Sequence, residues 1–335
     1  MTMSFPLLKL PLIPLELIIE QLDSLDLVQL SMYSTKFRDI LELLKLSVQT
    51  LHVFITEISY GISILRNSNS SYIDVCDSVP VGTSSELANI QGEPVHIWSQ
   101  GRDEVKVKSA LSKLATLETI IKYTLSITKV AKYSLTYNDV EMEIRSLFIW
   151  QLTTQLYQFK SYLINGGLVQ ISSEDLTFLL EGVSVECLCL NVDCPGFKYQ
   201  KPIRHPRIHI RYPCWIDFDQ FSLGPETIEA SFSGQKVSVD VLNRLIKDWT
   251  EGKNPKLRDV KFTWTDNGPA QAMAREHEAR PPRTILPNRN VEQLKGLCIN
   301  YSISNDLWNH SVYNTVKLSV EEDFGLNGIH LDDQV

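Results

Sequence analysis

The chain is 335 residues long, enough for one large domain or two ordinary ones. Hydrophobic residues make up 43% and charged residues 21%, the balance of a globular chain with a well-filled core and not of a disordered one. The formal net charge of −8 argues against nucleic acid as the main partner, because neutralising phosphate takes clustered Lys and Arg.

Residues 1–19 are apolar but are interrupted by Lys9, Glu16 and the prolines Pro6, Pro11 and Pro14. They lack the basic segment and unbroken apolar run of a secretory signal. No stretch approaches the roughly 18 consecutive apolar residues of a membrane span. The expectation is therefore a cytoplasmic or nuclear chain with no membrane partner, its six cysteines reduced thiols.

Residues 10–46 predict three short amphipathic helices. The first carries Leu15, Ile18, Ile19 and Leu22 at i, i+3, i+4 and i+7, with Pro14 in its first turn. Asp23 or Ser24 is placed to cap the second helix, which bears Leu27, Val28, Leu30 and Met32. Ser34 or Thr35 opens the third, with Phe37, Ile40, Leu41 and Leu44. Three such helices bury too little surface to stand alone, so a partner is expected.

The phrase Phe5-Pro6-Leu7-Leu8, then Leu10-Pro11, an aliphatic helix ending in Leu22-Asp23, then Leu30-Ser31 and Ser34-Thr35-Lys36 resembles an F-box. The likeness is to the variant of large nematode families, with serine at Ser24 where many F-boxes have proline and Phe37 where many have tryptophan. The resemblance implies that residues 5–46 bind a Skp-type adaptor, which in turn holds a cullin scaffold. The contacts it implies are Leu10, Pro11, Leu15, Ile18, Leu22, Leu27, Leu30 and Ser31.

Residues 47–146 read as a connecting α/β region. Within it, 66–104 is rich in Ser, Asn, Gly and Asp and predicts variable loops around one or two strands. Helical spacing returns over residues 111–125, at Leu111, Leu114, Ile121 and Leu125.

Strand-like runs then centre near residues 189, 209, 230, 262 and 298, with helical segments over 174–180 and 239–249. The first spacings fall in the 20–29-residue range of leucine-rich repeats. The fold class expected is α/β: a three-helix module followed by a leucine-rich-repeat-like stack of helix–strand units around a mainly parallel sheet. Trp215-Ile216-Asp217-Phe218, then Leu242-Asn243 and Trp249, then Gly252-Lys253-Asn254-Pro255-Lys256-Leu257 resembles the F-box-associated domain of type 2. That likeness covers residues 147–265 and implies target recognition without catalytic residues. Leu242, Leu245, Ile246 and Trp249 form one predicted helix face. Residues 266–335 read as a polar loop with Arg275, Arg280, Arg283 and Arg289, further strands and an acidic tail.

Cys189, Cys194, His205 and His209 approximate a Cys2His2 zinc spacing, but Pro206 and a strand-like context oppose it. Cys187, Cys189, Cys214 and Cys298 read instead as small core residues. No Gly-rich phosphate loop, nucleophile elbow or H-E-x-x-H occurs. The sequence thus points to a non-enzymatic ligase adaptor without cofactor or metal, its target unknown. The alternatives are a zinc-containing protein- or nucleic-acid-binding module and an F-box scaffold outside a ligase.

Overall fold

Proline and serine set the first helix boundaries. In a computed structural model, which describes residues 10–138, 143–152, 156–161, 169–265, 284–287, 296–306 and 311–321, the chain opens with α1 (Leu12–Gln21), α2 (Ser24–Tyr33) and α3 (Thr35–Leu44). Pro14 lies in the first turn of α1, where its missing N–H has no intrahelical partner. Ser34 accepts a hydrogen bond from the Phe37 N–H at 3.2 Å and so caps α3. Lys45, in the left-handed conformation at φ 52°, ends that helix.

The chain divides into two compact units, Met1–Lys160 and Ser161–Val335, each mixed α/β. In the first unit the helices lead into β1 (Leu46–Thr56), β2 (Tyr60–Arg66), β3 (Asn69–Val75), β4 (Glu86–Ile90), β5 (Glu93–Ser99) and β6 (Glu104–Ser109). Then come α4 (Lys113–Ile127), β7 (Thr128–Asn138), the short α5 (Ile149–Leu152) and β8 (Leu156–Ser161). The sheet order is β8-β7-β1-β2-β3-β6-β5-β4, with parallel pairing of β1 to β7 and of β3 to β6. Leu27, Leu41, Ile64, Ile73, Ile120 and Ile121 are fully enclosed between helices and sheet.

Residues 66–104 hold more strand than expected. Buried apolar residues alternate with polar ones along these strands, as at Ile73 and Val75 or Val95 and Ile97, so the intervening polar residues dominate the composition while one face is buried. Asn67 and Ser68 both have positive φ (50° and 67°), as do Gln91 and Gly92 (54° and 95°). These are two-residue hairpin turns joining β2 to β3 and β4 to β5.

The three N-terminal helices find an intramolecular support. The Arg66 guanidinium, at the end of β2, donates to the carbonyls of Leu22 and Glu20 at 3.0 and 3.3 Å, satisfying orphan acceptors at the end of α1. From α4, the Tyr123 hydroxyl donates to Ser31 Oγ at 2.6 Å, and Ser31 donates to the Val28 carbonyl at 2.6 Å.

The second unit contains β9 (Val169–Gln170), α6 (Ser173–Thr177) running into one π turn, β10 (Cys187–Asp193), β11 (Arg207–Arg211) and β12 (Glu229–Ser233). After α7 (Val239–Thr250) come β13 (Asp259–Thr265), β14 (Thr284–Pro287), β15 (Gly296–Asp306) and β16 (Ser311–Glu321). Strands β10 to β13 follow one another in chain order and pair in parallel. The strand near residue 298 departs from that order: β15 pairs antiparallel with β16, which pairs antiparallel with β13. The end of the expected polar loop is strand β14. Residues 266–283, the arginine at 289 and the tail from 322 lie outside the described residues.

Beneath β10–β13, Phe218, Phe221, Phe232 and Phe262 form a chain of edge-to-face and stacked rings with centroids 5.1–6.1 Å apart. Serine side chains cap α4, α6 and α7, each accepting from the N–H three residues on. Helix α7 buries Val241, Leu245 and Trp249, with Leu242 and Ile246 half-buried, a small rotation from the expected face.

Candidate functional site

Helix α1 is apolar nearly all round, so a short helix with one face in the core must present the remainder outward. Of the expected adaptor contacts, Leu15, Leu27 and Ser31 point into the first unit's own core. Leu10, Ile18 and Leu22 are half-buried, whereas Pro11 and Leu30 are exposed. The residues preceding Leu10, including Phe5 and Pro6, lie outside the described part.

On α1–α3 the open apolar side chains lie off the predicted stripes, apart from Leu30. Ile13 and Leu17, one helical turn apart on α1, are 72% and 59% exposed. Tyr33 on α2 and Leu43 on α3 are also open. Desolvation, followed by a hydrogen bond to Glu86, pushes the Tyr33 hydroxyl pKa up to about 12, so it stays a neutral donor. The signal available in the sequence was the excess of aliphatic residues in α1 over what one buried stripe needs.

The second surface is the other face of the β10–β13 sheet. Alternation sends Leu188, Leu190, Ile208, Ile210, Phe232 and Phe262 inward. The opposite face carries Cys187, Cys189 and Asn191 on β10, Arg207, His209 and Arg211 on β11, Glu229, Ser231 and Ser233 on β12, and Asp259, Lys261 and Thr263 on β13. It is closed at β10, where Cys187 and Asn191 are buried and Cys189 half-buried, and opens at His209, Arg211 and Lys261. Arg207 bridges Glu186 at 2.9 Å and Glu229 at 3.5 Å, and Lys317 meets Asp259 at 3.1 Å.

At the rim, Tyr212 follows β11 with 49% of its surface exposed and φ 54°, a backbone region that bulky side chains rarely adopt. Its N–H donates to the Ser233 carbonyl at 2.7 Å. A Cβ on Gly234 would come within 2.9 Å of its ring, and Gly234 itself has φ 96°. The ring is therefore presented by a strained but well-held backbone.

The four residues of the zinc-like spacing are not gathered. His205 is buried, with Nε2 3.0 Å from the Leu179 carbonyl, and burial lowers its pKa. Instead Cys187, Cys189 and His209 have their donor atoms within 4.8 Å of one another. Cys187 is buried at 8% exposed, as expected, and Cys189 is half-buried, but both line the polar face because strand alternation gives the apolar face to Leu188 and Leu190. Cys214 is exposed and donates to Asp193 at 3.1 Å.

Comparison of the chain with protein-family models, with curated proteins and with solved structures finds no match. Among the described residues no helix is long and apolar enough to cross a membrane.

Proposed function

We propose that the chain is a non-enzymatic adaptor: its N-terminal helices dock a Skp-type partner that holds a cullin scaffold, and its second unit recognises a target protein. The observation that carries this reading is the exposed apolar set Ile13, Leu17, Leu30, Tyr33 and Leu43 on α1–α3. The module already has its core satisfied by α4 and the first sheet, so these side chains are surplus to folding. Burying one aliphatic side chain contributes about 1.5–3 kcal/mol, and several together suit a protein interface. The F-box-like phrase over residues 5–36 names the kind of partner.

For the second unit the proposal is a leucine-rich-repeat-like stack. Cys189, His209, Ser231 and Lys261 stand in register across four parallel strands. The connecting segments stack too, through parallel bridges at Tyr199–Ile216 and Ile203–Leu223. Successive coils of one chain, each covered only by its neighbours, give this pattern. The open polar face and its Tyr212 rim are the proposed target-binding surface.

The test is affinity purification of the tagged full chain from cells, comparing wild type, Ile13→Asp/Leu17→Asp and Leu10→Ala/Pro11→Ala. Wild type is expected to recover both the Skp-type adaptor and a cullin. The double aspartate variant should lose adaptor affinity by about a hundredfold or more, on the transfer energies of two aliphatic side chains. Its circular dichroism should match wild type, since both sites are exposed. Recovery of the adaptor without a cullin would favour a scaffold outside a ligase. Absence of the adaptor from wild type would sink the function.

A further inference from the structure

Strand pairing brings together three soft donors on the otherwise oxygen- and nitrogen-rich polar face. Cys187 and Cys189 are two residues apart on β10 and therefore share a side of the sheet. His209 stands directly opposite Cys189 on β11. The two Sγ atoms are 3.7 Å apart, and all three donors lie within 4.8 Å of one another. A disulfide would need about 2.05 Å between the sulfurs, so no S–S bond joins them. Two thiolates on one tetrahedral zinc, each at about 2.3 Å, stand about 3.8 Å from each other. The 3.7 Å between the sulfurs, at which the thiols now share a hydrogen bond, is also the spacing that a shared metal requires.

We infer that Cys187, Cys189 and His209 form a binding site for a zinc-class divalent cation on the open sheet face. Two thiolates and one imidazole are a donor set for a borderline-soft ion, and hard oxygen-seeking cations are disfavoured there. β11 lies between β10 and β12 in the parallel sheet, so its hydrogen bonds to β10 hold the donors on a rigid frame. Arg207, directly opposite Cys187, has its charge met by Glu186 and Glu229, which leaves Arg211 and Lys261 as the positive charges of the face. Three protein ligands leave a fourth tetrahedral position, filled by water or by a donor from whatever lies on the face. His209, exposed on β11, marks the open side.

The site stands independently of the adaptor reading, because it is measured on the isolated chain. The full-length protein, reduced and stripped of metal, is titrated with Co2+ as a spectroscopic probe and then with Zn2+. The expected result is a single equivalent of Co2+ giving a thiolate-to-metal charge-transfer band and the intense visible bands of four-coordination, both abolished as Zn2+ displaces it. Cys189→Ser and His209→Asn should each weaken binding by more than the roughly 10–100-fold that loss of an outer-shell partner causes. Cys194→Ser and Cys214→Ser should leave the spectrum unchanged. His209→Asn lies at an exposed position, so it reports on the site even where a cysteine replacement disturbs packing. A folded, reduced wild type without the charge-transfer band overturns the site. So does a band that survives Cys189→Ser or depends on Cys194, or uptake of Cu(I) alone.

Discussion

His205 sits just before β11, buried, with its Nε2–H donating to the Leu179 carbonyl. Burial disfavours the imidazolium and holds the folded-state pKa below the ordinary value of 6.5, outweighing backbone hydrogen bonds that favour the charged form. The unfolded chain therefore takes up a proton as pH falls below 6.5, while the folded chain resists it. Stability contributed at this position is intact above that pH and is lost as pH drops toward the depressed pKa. Denaturant unfolding across about pH 5 to 7.5 should show this slope, and His205→Gln should flatten it. An unchanged slope would assign the acid sensitivity to other groups. The histidine was visible in the sequence as a possible ligand, but its fate was not, because burial depends on chain segments 26 residues away. Cys187 and Cys189 illustrate the same limit. Alternation identified their shared face, whereas only the register with β11 shows that His209 lies on it too.

At the scale of elements, the helices were the most legible part, since caps and apolar stripes are local. The boundaries of α3, α4 and α7 follow from Ser34, Ser112 and Ser238. The hairpins in residues 66–104 were obscured because their turns use Asn67-Ser68 and Gln91-Gly92 in place of the commoner Asn-Gly. What holds α1 against the sheet was also unreadable, because Arg66 is remote from it in sequence. Arg66 is 8% exposed and bonds two carbonyls at the end of α1. Arg66→Ala should cost about 1.5–3 kcal/mol, the range for hydrogen bonds involving a charged group. Hydrogen exchange is expected to quicken in α1 before it quickens in β1. Arg66→Lys should recover little, because an ammonium cannot span both acceptors as the planar fork does. Uniform loss of protection over the whole first unit would instead make Arg66 a general core contributor.

At the scale of the molecule, the run of parallel strands β10–β13 was legible as a rhythm of apolar segments, and the α/β class with it. Of the antiparallel β14–β16 addition only the strand near residue 298 was legible, because its pairing runs through β16, which joins β13 from more than forty residues on in the chain. On the adaptor reading, the two surfaces act through one chain by proximity: a target on the sheet face gains an effective concentration near the ligase that neither contact supplies alone. That separates two classes of variant. Arg211→Glu/Lys261→Glu, at exposed positions of the sheet face, should abolish target recovery and leave adaptor recovery as in wild type. Ile13→Asp/Leu17→Asp should do the reverse, keeping the target but not the adaptor. Both should raise the target's steady-state level in cells, because turnover requires the two contacts together. Reversing charge on a face whose partner contacts are polar typically costs several kcal/mol through like-charge juxtaposition, so loss should be near complete at physiological salt. Target capture undiminished in Arg211→Glu/Lys261→Glu would move recognition off this face, to the Tyr212 rim or the loops of the first unit.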